Sequence, residues 1–171
     1  MHDRTGNLLG ATALAVTDLV LANAARTAGV SSSAAAALVV LSASPGLSVT
    51  ELGRRVGLSQ SAAARMVDSL RAGDLVHRRP GAGREVAVRL TRTGEQAARD
   101  LLTARGDGLA GIVGVLDQDE QHVLAGLLGK LLTGLYREVG NADLLCRLCD
   151  RGTCTADATC PVGQAERETG R

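Results

Sequence analysis

The sequence predicts a mainly α-helical chain carrying one small β-hairpin, and three features of its 171 residues lead there. Apolar side chains recur at helical spacing over most of the length. Ser or Asp followed three residues later by Glu, the signature of a helix start, occurs at Ser48 with Glu51 and at Asp117 with Glu120. After Gly73 the apolar period shortens from the helical value towards alternation, over residues 75–79 and 85–90.

Residues 7–28 make the first helix. Leu8, Leu9, Leu14, Val16, Leu19, Val20 and Leu21 leave it apolar around much of its circumference, so it needs cover on more than one side. Ser31, Ser32 and Ser33 offer N-caps to a second helix through Leu41, which Pro45-Gly46 ends. At Ser48 the hydroxyl can accept from the Glu51 amide while the Glu51 carboxylate returns to the Ser48 amide, which opens a short helix stopping at Gly57. Ser59 caps the next helix, with Ala62, Ala63, Met66, Val67 and Leu70 inward and an end near Gly73. Two short helices joined by a glycine-containing turn form a helix-turn-helix arrangement. The two strand candidates are joined by Pro80-Gly81-Ala82-Gly83, which is turn chemistry, so the hairpin is a wing with arginines at its tip.

Thr91 caps a fifth helix through about Leu116. Gly106, Gly108, Gly111 and Gly114 each cost about 1 kcal/mol relative to Ala inside a helix, so a bend or loosening is expected around 105–111. Asp117 and Glu120 open a sixth helix on which Leu124, Leu128, Leu131 and Leu135 form a heptad-like seam, suited to self-association or to packing within the chain.

Composition narrows the functional classes. Apolar residues make up 45% of the chain and aromatics 1%, so the core is built from Leu, Val and Ala, which favours close-packed helices and a homodimer that adds buried area. The net charge of +1 conceals an asymmetry. Arg54, Arg55, Arg65, Arg71, Arg78, Arg79, Arg84, Arg89 and Arg92 face only Glu51, Asp68, Asp74 and Glu85, a local +5 that leaves −4 elsewhere. Such a block is an electrostatic footprint for phosphate. No stretch reaches the roughly 18 apolar residues of a membrane span. The apolar run of 8–16, interrupted by Asp18 and without the usual charged leader, reads as a helix rather than a signal peptide, so a cytoplasmic location is expected. No Ser/His/Asp or paired-carboxylate constellation is present, and the chain is not read as an enzyme.

All four cysteines fall near the end, as C-x2-C-x4-C-x5-C-P: Cys146, Cys149, Cys154 and Cys160. C-x2-C lets two thiolates reach one ion from a tight turn, and two more within eleven residues complete a tetrahedral sulfur set. The spacing resembles a zinc knuckle with Cys154 where His is usual, and Cys160-Pro161 resembles iron–sulfur proteins. Zinc, an iron–sulfur cluster, a metal-free thiol switch and an inert tail all remain open. Arg147 and Arg151 are expected to favour the thiolate forms. His77 and His122 are read as surface or packing residues. A second functional class is a thiol- or metal-handling module that uses the C-x2-C pair.

The order helix, helix, helix-turn-helix, hairpin, long helix, helix resembles the MarR family of winged helix-turn-helix transcription regulators over about residues 8–138. The likeness is carried by Leu47-Ser-Val-Thr-Glu-Leu52, Leu58-Ser-Gln-Ser-Ala-Ala-Ala-Arg65-Met-Val-Asp-Ser-Leu70, Leu75-Val76-His77-Arg78 and Val86-Ala-Val-Arg-Leu-Thr91-Arg-Thr-Gly94. It implies a domain of residues 1–140, with dimerisation helices in 7–45 and 92–138 around a winged helix-turn-helix in 46–91, followed by a cysteine-rich tail, 141–171. It also implies a DNA-binding regulator, of repressor type, that interlocks its first and last helices in a homodimer and answers to a small-molecule or redox effector. Where the family often has Asp-x-Arg at the wing tip, this chain has Ala82 and Arg84. The aromatics that often line the family's effector pocket are absent.

A helix N-terminus placed in the major groove of double-stranded DNA presents its first turn to base edges. Here that turn is Ser59, Gln60 and Ser61, with Arg65 one turn on. Gln60 can pair bidentately with adenine, and Arg65 with guanine or a phosphate. Ser59 acts first as a cap. Arg78, Arg79 and Arg84 are the wing's candidates for contacts to the DNA backbone and minor groove.

Overall fold

The computed structural model describes residues 2–80 and 86–170, without the side chains of residues 2, 21 and 23–26. Helices α1 (His2–Ala28) and α2 (Ser32–Ala43) lead to a two-residue strand β1 (Leu47–Ser48) and the helix pair α3 (Val49–Val56) and α4 (Gln60–Ala72). The hairpin strands β2 (Val76–Pro80) and β3 (Val86–Leu90) precede two long helices, α5 (Arg92–Val113) and α6 (Gln118–Val139). Three short helices follow: α7 (Ala142–Leu145), α8 (Arg151–Thr155) and α9 (Pro161–Glu168). The mainly helical fold with a hairpin is as expected. The hairpin tip, with Ala82 and Arg84, lies outside the described residues.

Local chemistry sets the boundaries. Ser31, Ser48, Ser59, Thr91 and Asp117 each accept from a backbone amide three residues on and so start α2, α3, α4, α5 and α6. At Asp117 the capping box is complete, since the Glu120 carboxylate also accepts from the Asp117 amide at 3.0 Å. At Ser48 only half of the expected box forms. Glu51 turns to Arg54 and Arg55 instead, because two charge-assisted bonds outcompete one to a neutral amide. The fifth helix runs unbroken across the glycines at 106, 108 and 111 and ends at Val113, with Gly114 as its C-cap, rather than loosening at 105–111 or reaching Leu116.

The sheet has the order β1-β3-β2, antiparallel throughout, with Leu47 opposite Val88 and Arg78 opposite Val88 on the other side. Strand β1 was not expected from the sequence. Two residues carry no periodicity, and they become a strand only because β3 offers its free edge. The core centres on α2, whose residues from Ala34 to Leu41 are all buried, between α1, α3, α4, α5 and β3. Leu52, Val67, Leu70, Val76 and Val88 close on it from the helix-turn-helix and the sheet. Each such side chain contributes about 1.5–3 kcal/mol relative to exposure. A second, smaller core joins the tail to α6, where Tyr136, Val162 and Ala165 are buried together.

The wing meets α5 at a tight corner. Asp74 holds a left-handed backbone (φ 55°), and its carbonyl accepts from the Thr91 hydroxyl at 2.6 Å. Leu75 passes so close over Gly94 that a Cβ there would run into the Leu75 carbonyl. Gly94→Ala is therefore expected to destabilise the protein by about 1–3 kcal/mol through forced overpacking, measured by chemical denaturation, with a near-neutral result excluding this close approach.

Candidate nucleic-acid interface and cysteine cluster

Helix α4 offers its N-terminus to solvent. Ser59 is the N-cap, its hydroxyl accepting from the Ala62 amide at 3.4 Å, and Ser59, Gln60, Ser61 and Arg65 are all exposed, while Ala63, Met66, Val67 and Leu70 bury the opposite face. The sequence periodicity thus separates a packing face from a solvent face on one helix. Helix α3 lies beneath, and Gly57, with φ 75°, makes the turn between them in a region an L side chain enters only with strain.

The wing residues divide. Arg79 on β2 is exposed and pairs with no described residue. Arg78 is half-buried and spans to Asp68 of α4 at 3.1 Å, so it braces the wing against the reading helix. Arg84 lies outside the described residues. The basic block also feeds internal pairs: Glu51 takes Arg54 and Arg55, each at 2.8 Å. These two guanidiniums hold the Glu51 carboxyl at about 2, well below its usual 4.5.

The four cysteines converge. All of them line one cavity of about 220 Å³ together with Ala142, Asp143 and Arg151. Cys146 caps the C-terminus of α7, and Cys160 is the N-cap of α9, its sulfur accepting from the Gly163 amide at 3.4 Å. Cys146, Cys149 and Cys160 are half-buried and Cys154 is exposed; none is in a disulfide. Among the described residues, no three His, Cys, Asp or Glu side chains crowd a common point closely enough to hold an ion, so the sulfurs ring the cavity wall.

Burial, with Cys160 and Cys154 nearby, pushes the Cys146 thiol up to about 11. Burial, with Cys154 and Cys146 nearby, pushes Cys149 up to about 12. Of the two arginines expected to favour thiolates, Arg151 does so at Cys146 but is outweighed by burial, whereas Arg147 donates to the Leu144 carbonyl at 2.6 Å, and the arginine beside Cys149 is Arg105 of α5. His77 and His122 do not line the cavity.

Sequence reasoning missed Asp143. Its carboxylate accepts from Arg54 and from Arg151, both at 3.0 Å, and stands 3.5 Å from Arg55, which ties α3 to α7 and α8. Nothing local marks it, because its partners on α3 are almost ninety residues away, and only the Asn141 cap of α7 was there to be read.

A helix-turn-helix with a three-stranded wing, mounted between long helices, defines the winged helix class. Residues 28–85 match the MarR family model. Over these residues the chain is a winged helix domain of the MarR family. Among solved structures, Rv1404 from Mycobacterium tuberculosis shares 28% identity over 74% of this chain and 88% of its own, with a TM-score of 0.64. Rv2887, a MarR family protein from the same organism, was solved in complex with DNA (25% identity, 74% of this chain and 95% of that one, TM-score 0.61). It was also solved with salicylic acid (26%, 74% and 94%, TM-score 0.58). Curated proteins give no match.

The Glu51 pairing makes a pH prediction. A carboxylate whose folded pKa lies below its unfolded value contributes stability that is complete above the ordinary 4.5 and is lost as pH falls through about 2. Glu51→Gln should lower Tm at neutral pH and converge with the parent near the acid end. Parallel Tm curves for the two proteins would exclude it.

Proposed function

We propose that this chain is a transcription regulator that binds double-stranded DNA sequence-specifically as a homodimer, acting as a repressor by occupying its operator. The observation that carries this is the start of α4, where Ser59, Gln60 and Ser61 of the first turn and Arg65 one turn on are exposed together at an open helix N-terminus. Free amides there attract phosphate, and Gln60 and Arg65 supply the hydrogen-bonding patterns that read adenine and guanine. Arg79 adds a charge at the flank for the backbone. The complex of Rv2887 with DNA supports the same use of the fold, and its complex with salicylic acid supports a small-molecule effector.

Dimerisation is supported by what the single chain leaves uncovered. Leu8 and Leu14 on α1 are 57% and 70% exposed, and on α6 Leu128 and Leu131 are each 44% and Leu135 50% exposed. These leucines come from the first and the last long helix, so a second copy that interlocks the same helices covers both faces in one interface. No described helix is long and apolar enough to cross a membrane.

Footprinting on the DNA upstream of its own coding region is the direct test, followed by affinity measurements on the protected duplex. Affinity should fall steeply between about 50 and 200 mM salt, since each neutralised phosphate releases counterions. Gln60→Ala should cost about 1–3 kcal/mol and relax the preference at one base pair, whereas Arg79→Ala should weaken all duplexes alike and reduce the salt slope by about one. Binding indifferent to salt and to both substitutions would overturn the proposal. In a separate measurement, sedimentation of the parent should give a dimer, and Leu131→Arg should shift it to monomer and lose the two-fold operator. A parent that sediments as a monomer at micromolar concentration would exclude the interlocked arrangement.

A further inference from the structure

The tail and the reading head meet at one carboxylate. Asp143 of α7 holds Arg54 at 3.0 Å and Arg55 at 3.5 Å, both on α3, and Arg151 of α8 at 3.0 Å. Asp143 and Arg151 also line the cavity ringed by the four sulfurs. A second cavity, about 350 Å³, shares the four cysteines and is walled by Val16 and Val20 of α1, Arg105 and Leu109 of α5 and Leu132 of α6. The cysteines therefore stand where reading head, long helices and tail come together. Helix α7 also reaches the helix-turn-helix turn itself, Leu144 Cδ1 lying 2.9 Å from where a Cβ on Gly57 would be.

We propose that Cys146, Cys149, Cys154 and Cys160 together bind one thiolate-ligated metal centre, a zinc ion or an iron–sulfur cluster, and that Asp143 couples its loading to the helix-turn-helix. The coupling rests on the DNA-binding reading above; the metal centre does not. Four sulfurs outnumber the one carboxylate on the cavity wall that no arginine engages, Glu166, and no imidazole lines it, a donor set that favours soft, tetrahedrally ligated metals over calcium or magnesium. Asp143 is engaged by its three arginines and does not compete as a ligand. As each sulfur–metal bond forms, the thiol proton passes to solvent and the metal sheds a bound water, or iron and sulfide assemble on the same four thiolates. Arg151 and Arg105 flank the sulfurs and offset the net −2 of a four-thiolate divalent centre. Closing four sulfurs from the cavity wall onto one centre moves the C-terminal end of α7, where Cys146 sits three residues after Asp143. The pairs from Asp143 to α3 carry that movement under α4.

Full-length protein purified without oxygen tests both halves. Metal analysis should give either ~1 zinc per chain and no colour, or ~4 iron with ~4 sulfide and a band near ~400 nm. Thiol alkylation of the native protein should be slow when loaded and should report four reactive thiols after chelation. Cys149→Ser and Cys160→Ser should each lose the metal, with helical content from circular dichroism confirming that the domain still folds. Chelation should change operator affinity by about tenfold, within the usual range of coupling between sites. In Asp143→Asn the metal should be retained while that change falls below about twofold. Metal content no higher in the parent than in Cys149→Ser overturns the centre and leaves DNA binding standing. Metal bound without any effect of chelation on DNA affinity overturns the coupling, and metal bound by a protein that binds no DNA overturns the function proposed above.

Discussion

With one aromatic residue in the chain, the core has to be closed by bringing backbones together, and α2 is where this happens. Its residues from Ala34 to Leu41 are buried on every side, including four consecutive alanines. A helix with no polar face is stable only when other elements surround it, and alanine is what lets α1, α3, α5 and β3 approach at once. This central packing sets the orientation of the reading head against the long helices. Any larger side chain along it must push one of those elements away, so the head and the long helices share one core rather than a flexible joint.

The parts of the fold that were legible in the sequence are those decided within four residues. Ser48, Ser59, Thr91 and Asp117 announce helix starts because a cap is a bond between near neighbours, and Gly57 announces a stop because its left-handed backbone excludes most other residues. The inner and outer faces of α4 follow from spacing alone, which is why the exposed face that carries Gln60 and Arg65 was visible as sequence. Strand β1 and the seat of the tail were not, because each is decided by a partner far along the chain: β3 for Leu47 and α3 for Asp143. The Ser48 box was misread for a different reason, since two near neighbours, Arg54 and Arg55, compete with the Ser48 amide for Glu51. The glycines of α5 misled in the other direction. Local propensity costs them little once α1 and α2 pack along that helix.

The same division applies to charge. Counted along the chain, residues 48–92 carry +5, but the fold assigns much of that to structure. Glu51 and Asp143 take Arg54 and Arg55, and Asp68 takes Arg78, so these guanidiniums hold α3, the tail and the wing in place. The cations left on the surface include Arg65 on α4 and Arg79 on β2. A footprint read from composition therefore overstates the number of guanidiniums left without an internal partner.

The tail is more than an extension of α6. Tyr136, 2% exposed, packs with Val162 and Ala165, while Leu132, Leu145, Cys146 and Cys160 close around them, so the polypeptide after Gly140 folds back over the helix it has just left. That fold-back has two anchors of different kinds. One is apolar, on α6, with Tyr136, Val162 and Ala165 at its centre and Cys146 and Cys160 only at its edge; the other is the Asp143 cluster on α3, formed by groups that are each partly exposed. Exposed ion pairs are individually weak, about 0–1 kcal/mol, so the second anchor is the one a change at the cysteines can shift while the first holds the tail on the protein. A firm attachment to the long helix combined with a yielding one to the reading head is the arrangement through which a small movement at the sulfurs reaches α4.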